Sequence, residues 1–330
     1  MEFSKLKMTP KELLQTFVRI YLVIFFLILH VSSTELWEEW WGYNGVSGPE
    51  FWGTHNKNWS LCGTGKFQSP IDIDPGRLIF DPNLTALKYD RIEINGLLVN
   101  TGNDLTFEIT DTINSSSFLF TGGPLSYTYR LNHIKIHFGS YDEIGSEHTI
   151  SGKQFPVEFQ IIGYNVDLYR NFNEASMATH GLAVITVLGT IDDMTNFEFD
   201  KILTAAKHVR YRGLKYAING FAITDIIPPS GLYITYEGSL TQPSCQETVT
   251  WIIINKPLRI TKHQIAALRD LNRWSQNQPD KGPLVSNNFR PPQSLNRRPV
   301  RTNISPYVES EECAIKITKS YKVNRRLIGL

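Results

Sequence analysis

Between about residues 87 and 251 the chain repeatedly alternates apolar and polar residues, as in Leu105-Thr106-Phe107-Glu108-Ile109 and Val157-Glu158-Phe159-Gln160-Ile161, with Gly and Asn between the runs. A period of two sends successive side chains to opposite faces of an extended chain, so this stretch predicts strands and a mainly β domain. The run Tyr129-Arg130-Leu131-Asn132-His133-Ile134-Lys135-Ile136-His137-Phe138 is the most informative of these. It places His133, Lys135 and His137 on one face and Ile134, Ile136 and Phe138 on the other. The polar face is equipped to hold something, and Lys135 decides what. An ammonium group is a donor only and has no lone pair to give a metal.

Helical periodicity is convincing in two places. Residues 199–209 carry Ile202, Leu203, Ala206 and Val209 at helical spacing, and residues 262–274 follow Thr261 as a cap and Pro257 as a breaker. No internal repeat is visible. From about residue 275 the composition shifts to Asn, Gln, Pro and Arg, through to Arg297-Arg298. The expected organisation is a signal peptide over 1–33, one domain over 34–300, and an exposed tail over 301–330 carrying Cys313.

The N-terminus places Lys5, Lys7, Lys11 and Arg19 before an apolar run over 20–29, followed by the small residues Ser32 and Ser33. That is the pattern of an export signal, too short for a stable membrane span of ~20 residues. Adding Phe17 and Val18 lengthens the run, so an uncleaved anchor is the competing reading. A formal net charge of +1 over 330 residues argues against a nucleic-acid partner. The three cysteines, Cys62, Cys245 and Cys313, fit an oxidising compartment if two pair and one remains. Asn58, Asn83, Asn114 and Asn303 each open an N-x-Ser/Thr triplet, the acceptor pattern for glycans on an exported chain.

Several ordered blocks resemble the α-class carbonic anhydrases over roughly residues 37–298. They are Trp41-Gly42-Tyr43, Gly48-Pro49-Glu50-Phe51-Trp52, Gln68-Ser69-Pro70-Ile71-Asp72-Ile73, His137-Phe138-Gly139-Ser140, Gly145-Ser146-Glu147-His148-Thr149, Gly238-Ser239-Leu240-Thr241 and Val249-Thr250-Trp251-Ile252. The resemblance implies a large, twisted, mostly antiparallel sheet of about ten strands with short surface helices. In that family three histidines hold a zinc whose fourth position carries the reactive water. The matching positions here are Lys135, His137 and Gln160, so one imidazole remains. The family's proton-shuttle histidine matches Asn103, which cannot titrate near neutral pH. Glu147 and Thr241 match the pair that orients the zinc-bound hydroxide, and Glu158 matches the carboxylate behind the third histidine. His148 matches a structural position. The resemblance also implies a Cys62–Cys245 disulfide.

Altering even the outer partners of a zinc site typically costs 10 to 100-fold in affinity, and here two of the three donors themselves are replaced. The expectation is no zinc cofactor and no hydratase activity. Lys135 is expected to supply the missing positive charge to Glu147 or Glu158, because a buried carboxylate without a cation is costly. His133 and His137 cannot assemble a replacement pair, since four residues of strand span roughly 13 Å. His137 is read either as a core histidine satisfied by its neighbours or as a leftover ligand. Trp37, Trp40, Trp41, Tyr43 and Trp52 are expected to pack the N-terminal segment on the domain. The whole set resembles the secreted, catalytically silent carbonic anhydrase-related proteins. That implies an extracellular binding module for a receptor of the neurexin-like neuronal type. The competing class is a secreted carbonic anhydrase or esterase with an altered metal site. Cys313 is expected to form an intermolecular disulfide, to carry a small-thiol cap, or to be lost with a processed tail.

Overall fold

The computed structural model describes residues 19, 41–110, 117–277 and 285–305. The proposed signal segment apart from residue 19, together with Asn114 and Cys313, lies outside the described residues. Gly42 opens the compact unit that contains the sheet. No helix among the described residues is long and apolar enough to cross a membrane.

The alternating runs form the strands they predict. Eight of them, with a ninth strand that lies beyond the alternating stretch, order the sheet: Glu93–Asn100 (β1), Leu105–Ile109 (β2), Leu125–Phe138 (β3), Val157–Asn165 (β4), Leu182–Ile191 (β5), Lys215–Ala222 (β6), Tyr233–Gly238 (β7), Val249–Ile254 (β8) and Arg301–Thr302 (β9). They run side by side as β6-β1-β2-β3-β4-β5-β8-β7-β9, with Ile79–Phe80 beyond β9. Three shorter strands on the flanks bring this sheet to thirteen. Most neighbours on the path are antiparallel, while β5 with β8, and β9 with Ile79–Phe80, are parallel. The expected ten strands are thus the main path, and the mixed sheet carries short helices.

Both faces of the sheet are covered, so two cores form. Phe107, Ile134, Ile136, Phe138 and Phe159 point to one side, where Phe199, Ile202, Ile265 and Leu268 from two helices meet them. Ile162, Val184, Tyr236, Trp251 and Ile253 line the other. That second face also carries Lys135, His137, Glu158 and Gln160, because each lies an even number of residues from its strand neighbours there. The face is therefore polar in its middle and apolar around it.

The first helix, α1 (Phe197–Ala206), starts two residues before the expected point, because Asn196 caps it by accepting from the Phe199 N–H. The second, α2 (Lys262–Arg269), carries the capping box expected of Thr261, with Gln264 returning to the Thr261 N–H. It stops five residues short of position 274. Beyond it the backbone of Asn272 is bonded to Arg210 and to the Asn100 side chain instead of continuing a helical ladder.

The expected start of the tail at residue 301 is corrected. Arg301 and Thr302 pair with Thr235 and Ile234 of β7, and Val300, Thr302 and Ile304 are buried. The Thr302 hydroxyl donates to the Tyr233 carbonyl. The apolar-polar alternation of Val300-Arg301-Thr302-Asn303-Ile304 is a strand signal at the end of a polar stretch, and it carries the fold to Ile304. Asn303 takes part in it, donating to the Gly231 carbonyl and accepting from the Tyr233 N–H. Asn58 and Asn83 are exposed on the surface.

Candidate functional site

Strand register brings the three expected positions together. Lys135 of β3 faces Gln160 of β4 directly, and His137 faces Glu158 one step along the same ladder. On the other side Lys135 faces Thr106 of β2. His137, Glu147, Glu158 and Gln160 are all buried.

Lys135 does not serve Glu147 or Glu158, so that expectation is corrected. Its ammonium reaches the opposite way, to Asp104 at 2.8 Å and to the Gln242 carbonyl oxygen. Asp104 begins the Asp104-Leu105-Thr106 run, so it lies on the same face as Thr106 and hence beside Lys135. It is almost fully buried, and four donors saturate its carboxylate. Thr101 and Thr106 hydroxyls donate to Oδ1, and Lys135 and Gln242 donate to Oδ2. Burial alone would raise its pKa, but the Lys135 charge and these hydrogen bonds win, holding the carboxyl well below the usual range. Gln242 also donates to the Tyr43 hydroxyl, tying the N-terminal segment to the cluster.

The sign of the resulting pH dependence follows from that lowered pKa. The Asp104–Lys135 pair stabilises the fold fully above the unfolded-state carboxyl value of about 4, and its contribution is lost as pH falls below it. Asp104→Asn should lower stability at neutral pH by about 3 kcal/mol, at the low end for a broken buried pair because Lys135 keeps some exposure to water. Urea melts between acidic and neutral pH should show a flatter profile for the variant than for the natural chain.

Glu147 and Glu158 are supported by neutral donors and by a histidine. The Gln160 amide donates to Glu147 at 2.7 Å and to Glu158 at 3.0 Å. Both acceptors are carboxylates, which fixes the orientation of that amide. Glu147 also accepts from the backbone N–H of Arg290, and among the described residues no hydrogen bond joins it to Thr241. Glu158 accepts from the backbone N–H groups of Glu147 and His148 and from the His148 ring. Burial opposes ionisation of Glu158. The His148 and His137 rings and these hydrogen bonds overcome it and bring its pKa to about 2. His148 continues through the Tyr236 hydroxyl to Ser69. The His148 ring therefore takes the place beside Glu158 that was expected of Lys135.

His137 is held by the Asn288 carbonyl at 2.6 Å from Nδ1. That contact requires a proton on Nδ1, and Nε2 is buried with no hydrogen-bond partner among the described residues. Asn288 also brackets β3, accepting from the Phe138 N–H and donating to the Ile136 carbonyl. Asn103 accepts from Arg273, at the turn where the family places its shuttle. His133 turns its ring edge to Phe172 and is kept neutral, its pKa lowered to about 3 by burial and then by the Lys135 charge.

The Lys135 and His137 strand pair, a crossing carboxylate and a Ser-Glu-His-Thr turn thus share one sheet face. The sequence profile of the eukaryotic-type carbonic anhydrases covers residues 47–304. The chain belongs to that family. It is 37% identical over 266 residues to carbonic anhydrase-like protein 2 of Caenorhabditis elegans, covering 80% of this chain and 79% of that one. It is 33% identical over an alignment of 349 residues to carbonic anhydrase-like protein 1 of the same animal, covering 86% and 95%.

The family's zinc does not fit these residues. One imidazole nitrogen is free to coordinate, the facing amine is engaged by Asp104 and Gln242, and the third position offers an amide whose nitrogen is bound to two carboxylates. Among the described residues no three His, Cys, Asp or Glu side chains converge as a metal site. Asp104, Gln242, Asn288 and Arg290 carry the site and were not singled out from the sequence. Asp104 had a signal, since strand alternation places it beside Lys135. The others come from loops, whose course the periodicity does not encode.

Proposed function

We propose that this chain is a secreted, catalytically silent carbonic anhydrase family member that works as a binding module for a cell-surface receptor. What supports it most is the engagement of Lys135 and Gln160. Both sit where the family needs zinc-binding imidazoles; the Lys135 ammonium is engaged by Asp104 and Gln242, and the Gln160 amide nitrogen by Glu147 and Glu158. The resemblance to the secreted carbonic anhydrase-related proteins supports a receptor of the neurexin-like neuronal type.

Purified protein should hydrate carbon dioxide no faster than a protein-free blank, with no change on adding a sulfonamide. Equimolar zinc with sulfonamide-sensitive turnover would overturn the proposal. The second reading, an enzyme with a different metal or an esterase, rests on the unpartnered, buried Nε2 of His137. Metal analysis and an ester-hydrolysis assay on the same preparation separate the two. For the covalent handle, non-reducing gels of material co-secreted with a candidate receptor should show a mixed disulfide that Cys313→Ser abolishes.

A further inference from the structure

The near-zero net charge conceals an uneven distribution. Residues 201–224 contain no Asp or Glu but carry Lys201, Lys207, His208, Arg210, Arg212 and Lys215. The five from Lys207 onward are exposed.

The loop that bears them is fixed by its backbone, which leaves the side chains outward. Asn100 at the end of β1 donates its amide to the carbonyls of Val209, Arg210 and Asn272. The Asn272 N–H bonds Arg210, and the Arg212 N–H bonds Trp274. This stitching sets Arg273 beside the loop, and the Arg212 stem lies over Gly102, where an added Cβ would meet its Cδ at 2.7 Å. The strip then continues into Lys215, the first residue of β6. Because β6 is the last strand on its side of the sheet, no further strand flanks the strip.

Nearby acids neutralise only part of it. Lys215 pairs with Glu108 at 3.3 Å, Lys201 with Glu198 at 2.9 Å, and Asp270 is exposed at the end of α2. Lys207 and Arg210 have no ion pair among the described residues. A rigid row of cations along an open edge is suited to a linear polyanion, whose repeated charges can bridge several side chains. The aromatic faces argue against nucleic acid. His208 stacks on Tyr216 at 4.2 Å between centroids and Arg210 lies over Tyr211, so one face of each ring is already covered and closed to a base.

We infer that the strip formed by Lys207, His208, Arg210, Arg212, Lys215 and Arg273 binds a sulfated polysaccharide chain. The extracellular setting of such a ligand rests on the proposed secretion, whereas the binding itself does not. The test is binding of the full secreted chain to heparin at about physiological salt, where screening extends over ~8 Å. Heparin stripped of its sulfates, single-stranded DNA and phosphatidylserine vesicles serve as comparisons.

Heparin should bind tightest and weaken as salt rises. Lys207→Gln with Arg210→Gln should weaken binding roughly 30-fold, at about fivefold per cationic side chain near an anionic surface. Arg77→Gln with Lys153→Gln, two exposed cations elsewhere, should leave it unchanged. Absence of heparin binding, equal binding to DNA or vesicles, or equal loss in the Arg77/Lys153 variant would each overturn the inference. Zinc content and turnover of the same preparation, measured without heparin, report separately on the proposed function.

Discussion

Gln160→Glu should destabilise the fold by about 4 kcal/mol at neutral pH, the scale of an uncompensated buried charge. The native amide donates to Glu147 and Glu158 at once. The substitution keeps the size, removes both donors, and sets a third carboxyl between two others on a buried face. The introduced group can lower its cost by taking up a proton, so its pKa in the folded state rises above the unfolded value of about 4.3. A raised carboxyl pKa penalises the fold above the unfolded value, and the penalty fades as pH falls through that value. The stability gap between variant and natural chain should therefore narrow on acidification, which urea melts at several pH values would read. An unchanged melt at neutral pH would mean that the amide does not hold the two carboxylates.

Removing the disulfide should have an effect of similar size by another route. Cys62 and Cys245 are joined across a sequence separation of 183. Closing a loop of that length is worth roughly 5 kcal/mol in the chain-entropy model, because the cross-link restricts the unfolded chain. The bridge also sits beside Arg290, whose guanidinium donates to the Cys62 carbonyl and to Gln68 and Ser69 while its backbone N–H holds Glu147. Cys62→Ser with Cys245→Ser should lower the denaturation midpoint accordingly and reduce the order around Glu147. Oxidised and reduced natural protein should differ in the same direction.

The sheet was legible because β strands announce themselves by alternation, and the face shared by Lys135, His137, Glu158 and Gln160 follows from that period alone. That Lys135, His137 and Gln160 would lie together was legible from the same alternation and the ordered blocks, and the strand register places them so. What the sequence did not disclose is where a long, flexible side chain points. Lys135 could reach toward the Glu147 and Glu158 pair or toward Asp104, and the choice fell to Asp104 because Gln242 and two threonines complete that cluster. His148, set aside as structural, then takes the place beside Glu158. The last strand escaped notice because it is only two residues long and lies within a stretch rich in Pro, Arg and Asn.

The central claim is that a carbonic anhydrase scaffold persists here with its zinc chemistry removed at two positions. Asn288 already orients His137, and Glu158 already accepts from position 160, so the outer support for a metal remains. Equilibrium dialysis against zinc, run on the natural chain and on Lys135→His combined with Gln160→His, tests this directly. The natural chain should retain no stoichiometric zinc, and the double variant should bind it one to one. Stoichiometric zinc on the natural chain, or none on a folded double variant, would contradict the claim.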